Sequence, residues 1–232
     1  MEYLKKLIKA MKDIIVVMVI QYSLIFGIGI LYMILNGEDL MSFYINDGYI
    51  ILTFIYAILV MALLNRYREK EKSLPLKDYY GAVLFGISLA CFLNMLIFKL
   101  GQSNEVVEVN KTLLFISSGI LGPIMEELLF RKKLLTELLM FNNKYVSILL
   151  SSFIFSFLHN GMITMLYAFI LGIVFGIIYI KYKNVKLTIF MHMAANIIVI
   201  YLTRYNTLIL ILSIIGLLIS YLIINKKVAK NT

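Results

Sequence analysis

The sequence is poor in charge, proline and cysteine. Only 15% of its 232 residues are charged, whereas soluble globular proteins carry about 25%, and it has two prolines and one cysteine. With 62% hydrophobic residues and a mean hydropathy of +0.92, this composition excludes a soluble single domain, a disordered chain and a disulfide-stapled small protein. Cys91 lies in an apolar run without a polar neighbour, so we expect a buried small residue and no catalytic thiol.

Long uncharged runs take the place of the missing charge. The run at 14–35 has no charged residue and no small-residue cleavage site, so it indicates a retained membrane span rather than a signal peptide. Further apolar runs occupy residues 49–64, 79–98, 112–130, 145–158, 162–180, 187–202 and 207–224. We therefore predict an all-α polytopic membrane helical bundle of about eight transmembrane helices, folded as a single membrane domain over residues 1–232.

The basic residues predict an orientation for this bundle. The formal net charge is +9, and with a cytoplasmic N-terminus every basic residue except Lys99, Lys111 and Arg204 falls in a cytoplasmic segment. By the positive-inside rule, both termini are then cytoplasmic. No basic stripe interleaved with aromatic residues is present, so we predict no nucleic-acid partner. Segment 3–11 has an apolar face and a lysine face, which is typical of an interfacial helix on an anionic leaflet.

A few polar residues interrupt the apolar runs in the second half of the chain: Glu126, Glu127, His159, His192 and Asn196. The two histidines are the only two in the chain. Ionisable groups within a membrane are costly, so they mark candidate functional sites.

Helical spacing separates the two carboxylates. Glu127 and Arg131 are four residues apart on one helical face and can form an internal ion pair, whereas Glu126 is rotated from Glu127 by about 100°. One carboxylate is then neutralised while the other is free to act. His192 and Asn196 are also four apart and can present two polar groups side by side. Pro123 removes a backbone donor and should kink or loosen the helix just before the glutamates.

Counting residues predicts the depth of these groups. If the chain turns at Asn142 and Asn143, the two arms of the hairpin are nearly equal, so His159 returns to the level of the glutamates. The same count fits His192 less well, because the run at 162–180 is longer than the return from Asn184.

Several kinds of chemistry fit this set. A carboxylate can activate water as a general base while a histidine and an amide stabilise the oxyanion. Alternatively, Glu126, His159 and His192 form a two-histidine, one-carboxylate set that can hold zinc. No GxSxG elbow indicates a serine nucleophile. Each signal also has an ordinary structural interpretation, since buried histidines often serve helix packing and a Glu pair beside basic residues can mark a helix end.

Three motifs together resemble the CPBP family of intramembrane proteases (Abi, CAAX protease and bacteriocin-processing proteins). The family pattern is EExxxR, then FxxxH, then HxxxN or HxxxD. It occurs here in order, as Glu126-Glu127 with Arg131, Phe155 with His159, and His192 with Asn196. The resemblance covers roughly residues 110–202. It implies accessory helices over 13–100, a catalytic core over 110–202 and a final helix over 207–225. Lys132 stands where relatives often carry glycine.

The resemblance implies an endopeptidase that cleaves a membrane-associated or lipidated peptide or protein. Glu126 is then the water-activating base assisted by His159, His192 and Asn196 stabilise the oxyanion, and Glu127 with Arg131 is structural. The preferred mechanism requires no cofactor, with zinc as the alternative. The competing hypothesis is a non-catalytic membrane protein of the bacteriocin self-immunity or partner-binding type. We expect an integral membrane location, in a bacterial plasma membrane, with membrane lipid as a further partner.

Overall fold

The computed structural model describes residues 2–37, 49–67, 71–100, 110–159 and 161–225. Within these ranges the chain is helical and contains no strand, so the predicted all-α class is confirmed. The eight described helices are α1 (Glu2–Asn36), α2 (Tyr49–Arg66), α3 (Leu76–Lys99), α4 (Lys111–Leu138), α5 (Lys144–Ser156), α6 (Met162–Tyr182), α7 (Val185–Tyr201) and α8 (Thr207–Asn225). Segment 3–11, predicted as an interfacial helix, is continuous with α1.

Asparagine side chains begin four of these helices. Asn110 Oδ1 accepts the backbone N–H groups of Thr112 and Leu113 at 3.0 and 3.3 Å. Two of the other three caps also accept two N–H groups, and Asn184 accepts one, from Leu187. These three caps are Asn143 for α5, Asn184 for α7 and Asn206 for α8. Each side chain satisfies helix-terminal donors that have no partner within the helix. At these four polar breaks between apolar runs, an asparagine therefore marks where the next helix starts.

Five of the described helices are long and apolar enough to cross a membrane: α1, α3, α4, α6 and α8. The apolar helices of 10–17 residues are Thr53–Arg66, Lys144–Ser156 and Val185–Tyr201. Large apolar side chains cover the outer surfaces of α1 and α8, where only 17% and 22% of the most apolar windows are buried in the protein. Such surfaces are stable against lipid rather than water, and the protein is an integral membrane protein. The number of crossings and the side of the termini stay predictions.

The described helices form two compact units. The first unit comprises Met1–Arg68 and Val107–Ser147, and so contains α1, α2 and α4. The second comprises Glu69–Val106 and Ile148–Thr232, with α3, most of α5, and α6 to α8. The predicted division into accessory, core and final segments stays a prediction.

Asp13 fastens together the helices of the first unit. Its buried carboxylate accepts hydrogen bonds from Arg66 Nη2 at 2.9 Å and from the Tyr67 hydroxyl. Lys133 Nζ on α4 lies 3.7 Å from the same carboxylate and also pairs with Glu137. Burial, together with the Asp13 charge, raises the pKa of Tyr67 well above its ordinary value, so the phenol stays a donor at neutral pH. One carboxylate thus ties α1 to α4 and to the end of α2.

Close backbone contact holds α7 on α3 in the second unit. Gly86 on α3 faces the backbone carbonyl of Met191 so closely that a Cβ atom there would overlap its oxygen. Gly216 on α8 is similarly placed against Ser88. Around these contacts, the core contains Ala90, Phe175 and Met191, each fully buried.

Gly86→Ala is expected to destabilise the protein, because the obstacle is backbone and α7 must move as a whole. Overpacking of this kind costs about 1–3 kcal/mol, which for this chain length lowers Tm by roughly 2–12 °C. Thermal unfolding can be followed by a thiol-reactive fluorophore, since the sole cysteine, Cys91, is buried. Gly27→Ala is the matched control, because a Cβ there meets nothing within 4 Å. An unchanged Tm for Gly86→Ala would contradict the close contact.

Candidate active site

Helix α4 carries both glutamates between two stretches of π-helix. The first π stretch is Phe115–Leu121, and the second is Leu128–Leu135. At the end of the first, the Gly122 N–H bonds to the carbonyl of Ser117, five residues back. Pro123 follows at once and has no N–H to donate, so the predicted loosening of the helix takes the form of a wider turn. Such turns occur frequently at functional sites.

The two glutamates differ sharply in environment. The Glu127 and Arg131 side chains are both 0% exposed, and Arg131 Nε lies 3.3 Å from Glu127 Oε2. The ion pair predicted from the spacing is therefore present. Glu126, next along the helix, is only half-buried. A carboxylate sealed against a guanidinium cannot readily exchange a proton with substrate or water, whereas an accessible one can.

Near Glu126 lies one side chain that the sequence reasoning missed, Tyr56, and a second, Gln21, is bonded to it. A Cβ at Gly122 would lie 3.6 Å from Tyr56 Cε2 and 4.0 Å from Glu126 Oε1, so the Tyr56 ring and this carboxylate approach the same glycine. Gln21 Nε2 donates to the Tyr56 hydroxyl at 3.2 Å. No spacing rule could have identified this pair, because the two residues come from α1 and α2.

The two histidines meet around one aromatic ring in the second unit. Phe155, fully buried on α5, has its ring centroid 4.8 Å from that of His159 and 6.0 Å from that of His192, both edge-on. The Phe175 ring from α6 also lies 5.0 Å from the His192 ring. His192 is buried and His159 is half-buried. The histidines of two separate motifs are therefore neighbours in this unit.

Local structure explains how each histidine is presented. Helix α5 ends at Ser156, and His159 lies in the turn that follows, with its Nδ1 3.2 Å from the Phe155 carbonyl oxygen. If Nδ1 carries the proton and donates to that carbonyl, Nε2 is left to accept. His192 and Asn196 are four residues apart on α7, and Asn196 is half-buried.

The candidate residues fall into two groups. Glu126, Glu127 and Arg131 belong to the first unit, while His159, His192 and Asn196 belong to the second. Among the residues that the structure describes, no three His, Cys, Asp or Glu side chains are arranged to hold a metal ion. The zinc set of Glu126, His159 and His192 takes residues from both units and stays a prediction.

The segment that carries all three motifs matches a known protease family. Residues 108–198 match the family model described as type II CAAX prenyl endopeptidase, Rce1-like. The resemblance to CPBP intramembrane proteases is confirmed over this segment.

The chain is also similar in sequence to one curated protein. YdiL, a candidate membrane peptidase of Bacillus subtilis (strain 168), is 30% identical to this chain over 123 residues. The match covers 50% of this chain and 50% of that protein, so the chain spans about half the length of the curated relative that it matches. No solved structure gives a significant match.

Proposed function

We propose that the protein is an intramembrane endopeptidase of the CAAX-protease type, which hydrolyses a peptide bond in a membrane-associated or lipidated peptide or protein. The observation that carries this proposal is the difference in burial and pairing between two adjacent carboxylates. Glu127 is sealed in an ion pair with Arg131, while Glu126 stays half-exposed one position away. Purely structural charges at a helix end would not require two such different environments.

Each step of the hydrolysis has a residue proposed for it. Glu126 accepts a proton from water as the water oxygen bonds to the carbonyl carbon of the substrate. His159 assists by hydrogen-bonding to the same water or to the carboxylate. His192 and Asn196 donate to the carbonyl oxygen as it becomes an oxyanion. Glu126 then returns its proton to the leaving nitrogen as the C–N bond breaks, so that the enzyme is regenerated.

The surroundings of the histidines support these roles. The Phe155 and Phe175 rings both pack against the His192 ring, and their apolar contacts restrict its orientation. Preorganised donors in a water-poor site stabilise developing charge without having to reorient. The Rce1-like match and the membrane-peptidase relative support the class of reaction and a lipidated substrate.

The substrate can be sought by trapping. We expect Glu126→Gln to bind substrate without cleaving it, so a pulldown of this variant from native membranes should enrich one or a few proteins. Mass spectrometry should find the same proteins shortened in membranes that contain the wild-type chain. No enrichment over the wild type, together with protection in a bacteriocin challenge that survives Glu126→Ala combined with His192→Ala, would favour the immunity hypothesis instead.

Chelation is expected to leave the activity unchanged, because the proposed base is a carboxylate and acts directly on water. Purified protein treated with a strong zinc chelator should cleave its substrate at the untreated rate, and elemental analysis should find far less than one zinc per chain. Loss of activity that returns on adding zinc would contradict the carboxylate mechanism.

A further inference from the structure

Helix α1 is longer than a membrane span requires. Its 35 residues extend about 52 Å at about 1.5 Å per residue, whereas the hydrocarbon core of a bilayer is about 30 Å thick. The uncharged part begins at Ile14, so the preceding three turns extend beyond the hydrocarbon at the N-terminal end of the helix. These turns carry four lysines and therefore lie at the level of lipid headgroups.

One exposed face of these turns forms a groove of about 400 Å³. Its lining residues are Lys5, Ile8, Lys9, Lys12, Ile15 and Val16, all from α1. Their order along the helix is significant, because the three lysines, with Ile8 among them, lie in the first part and the groove ends on Ile15 and Val16. A phospholipid has the same order of charge and hydrocarbon when it is read from headgroup to acyl chain.

Within the described part of the chain, no carboxylate neutralises the charge on this face. Lys6 pairs with Glu2 at 2.8 Å, and the Asp13 carboxylate is bound by the Arg66 and Tyr67 side chains. By contrast, the lysines of the groove are exposed and have no carboxylate partner within the described part of the chain. Three ammonium groups on successive turns therefore present a concentrated positive potential.

The other side of the same segment is already occupied. The Tyr3 ring packs edge-on against Phe141 at 5.5 Å, and its hydroxyl donates to Asn142 Oδ1 at 3.3 Å. Ala10 and Ile14 are buried. These contacts hold the N-terminal turns against the end of α4, so the groove faces away from the helices of the first unit.

We propose that this groove is a docking site for an anionic phospholipid. The phosphate lies against Lys9 and Lys12, with Lys5 beside the rest of the headgroup, and an acyl chain runs along Ile15 and Val16. Each lysine near a membrane surface favours anionic lipid by about 1 kcal/mol, or roughly fivefold. A soluble anion would use only the charged half of the groove, which is why the adjoining apolar half points to a lipid.

The absence of tryptophan from the chain allows a direct test. Val19→Trp places a single reporter one turn beyond Ile15 on an exposed position without altering the groove. This variant is reconstituted in equal mixtures of phosphatidylglycerol and phosphatidylcholine, with bromine on the acyl chains of one lipid at a time. Brominated phosphatidylglycerol is expected to quench the fluorescence about threefold more than brominated phosphatidylcholine. This ratio is smaller than the roughly fivefold preference for anionic lipid expected from one lysine.

Charge variants separate a site from general attraction. In the Val19→Trp background, Lys5→Gln, Lys9→Gln and Lys12→Gln together should bring the quenching ratio to about one. The matched control, Lys77→Gln with Lys183→Gln and Lys186→Gln, removes the same charge from the second unit and should leave the ratio unchanged. Cys91 labelling on heating verifies that each variant is folded, and single lysine variants should give graded losses. This readout needs no substrate, so it stands apart from the proposed protease activity.

Three results would overturn the proposal. Equal quenching by the two lipids in the wild-type groove would show that no anionic lipid is selected there. If the quenching ratio fell equally in the control triple variant, the preference would reflect diffuse attraction to the net charge of the chain. A preference that disappears on adding inorganic phosphate would show a soluble-anion site.

Discussion

Replacing Glu126 with glutamine is expected to lower the rate of peptide hydrolysis by about 10³-fold, while the protein stays folded in the membrane. Glutamine has nearly the same shape but cannot accept a proton from water, and a positioned general base contributes about 10²–10⁴-fold to a rate. Because Glu126 is half-buried and its neighbour Glu127 holds Arg131, the substitution leaves the buried ion pair intact. The measurement is cleavage of a substrate obtained by trapping, at saturating concentration and at matched protein levels.

Two controls make this result specific. Glu126→Asp keeps the carboxylate but shortens its reach, so it should retain more activity than Glu126→Gln. Thermal labelling of Cys91 should give the same Tm for both variants and the wild type, since neither change touches the buried pair. Wild-type cleavage by Glu126→Gln would contradict the assigned role and would leave the protein without its proposed base.

Breaking the ion pair beside it is expected to destabilise the protein strongly. Arg131→Met leaves the Glu127 carboxylate buried with no matching guanidinium, and losing one partner of a buried pair costs about 3–5 kcal/mol. Glu127→Gln leaves the opposite charge buried and should cost a similar amount. Both variants should show a much lower Tm by Cys91 labelling, together with reduced amounts in the membrane.

The double variant identifies the role of Glu127. Removing both charges, as Glu127→Gln with Arg131→Met, leaves no unpaired charge, so most of the lost stability should return. If Glu127 is structural, cleavage should return with the fold. Recovered stability without any cleavage would show that Glu127 takes part in the chemistry and would contradict the assignment.

Much of the helical layout could be predicted from the chain, because apolar runs and polar breaks reflect local physics. The turn at Asn142 and Asn143 is an example, since Asn143 caps the next helix at the predicted place. The start of α1 was harder. Segment 3–11 and the run at 14–35 were predicted as separate elements, but Asp13 is hydrogen-bonded by Arg66 and Tyr67 from a distant part of the chain, and α1 continues through it.

The candidate site was predictable in composition and only partly in arrangement. The four-residue spacing was enough to predict the pair of Glu127 and Arg131, because that interaction lies within one helix. By residue counting His192 fitted its expected depth poorly, yet it lies beside Phe155 and so near His159. That proximity depends on how α5, α6 and α7 pack, which no count along a single arm contains.

The wide turn ahead of Pro123 also affects how this chain should be aligned with others. A π-turn holds more residues than the 3.6 of an α-turn, so the stretch Phe115–Leu121 accommodates about one extra residue before the helix resumes its ordinary pitch at Gly122. A relative with a regular helix here should be one residue shorter between its equivalents of Lys111 and Gly122, while it keeps the spacing from Glu126 to Arg131. Gap-free alignment through α4 would then match the glutamates correctly and displace every position upstream by one.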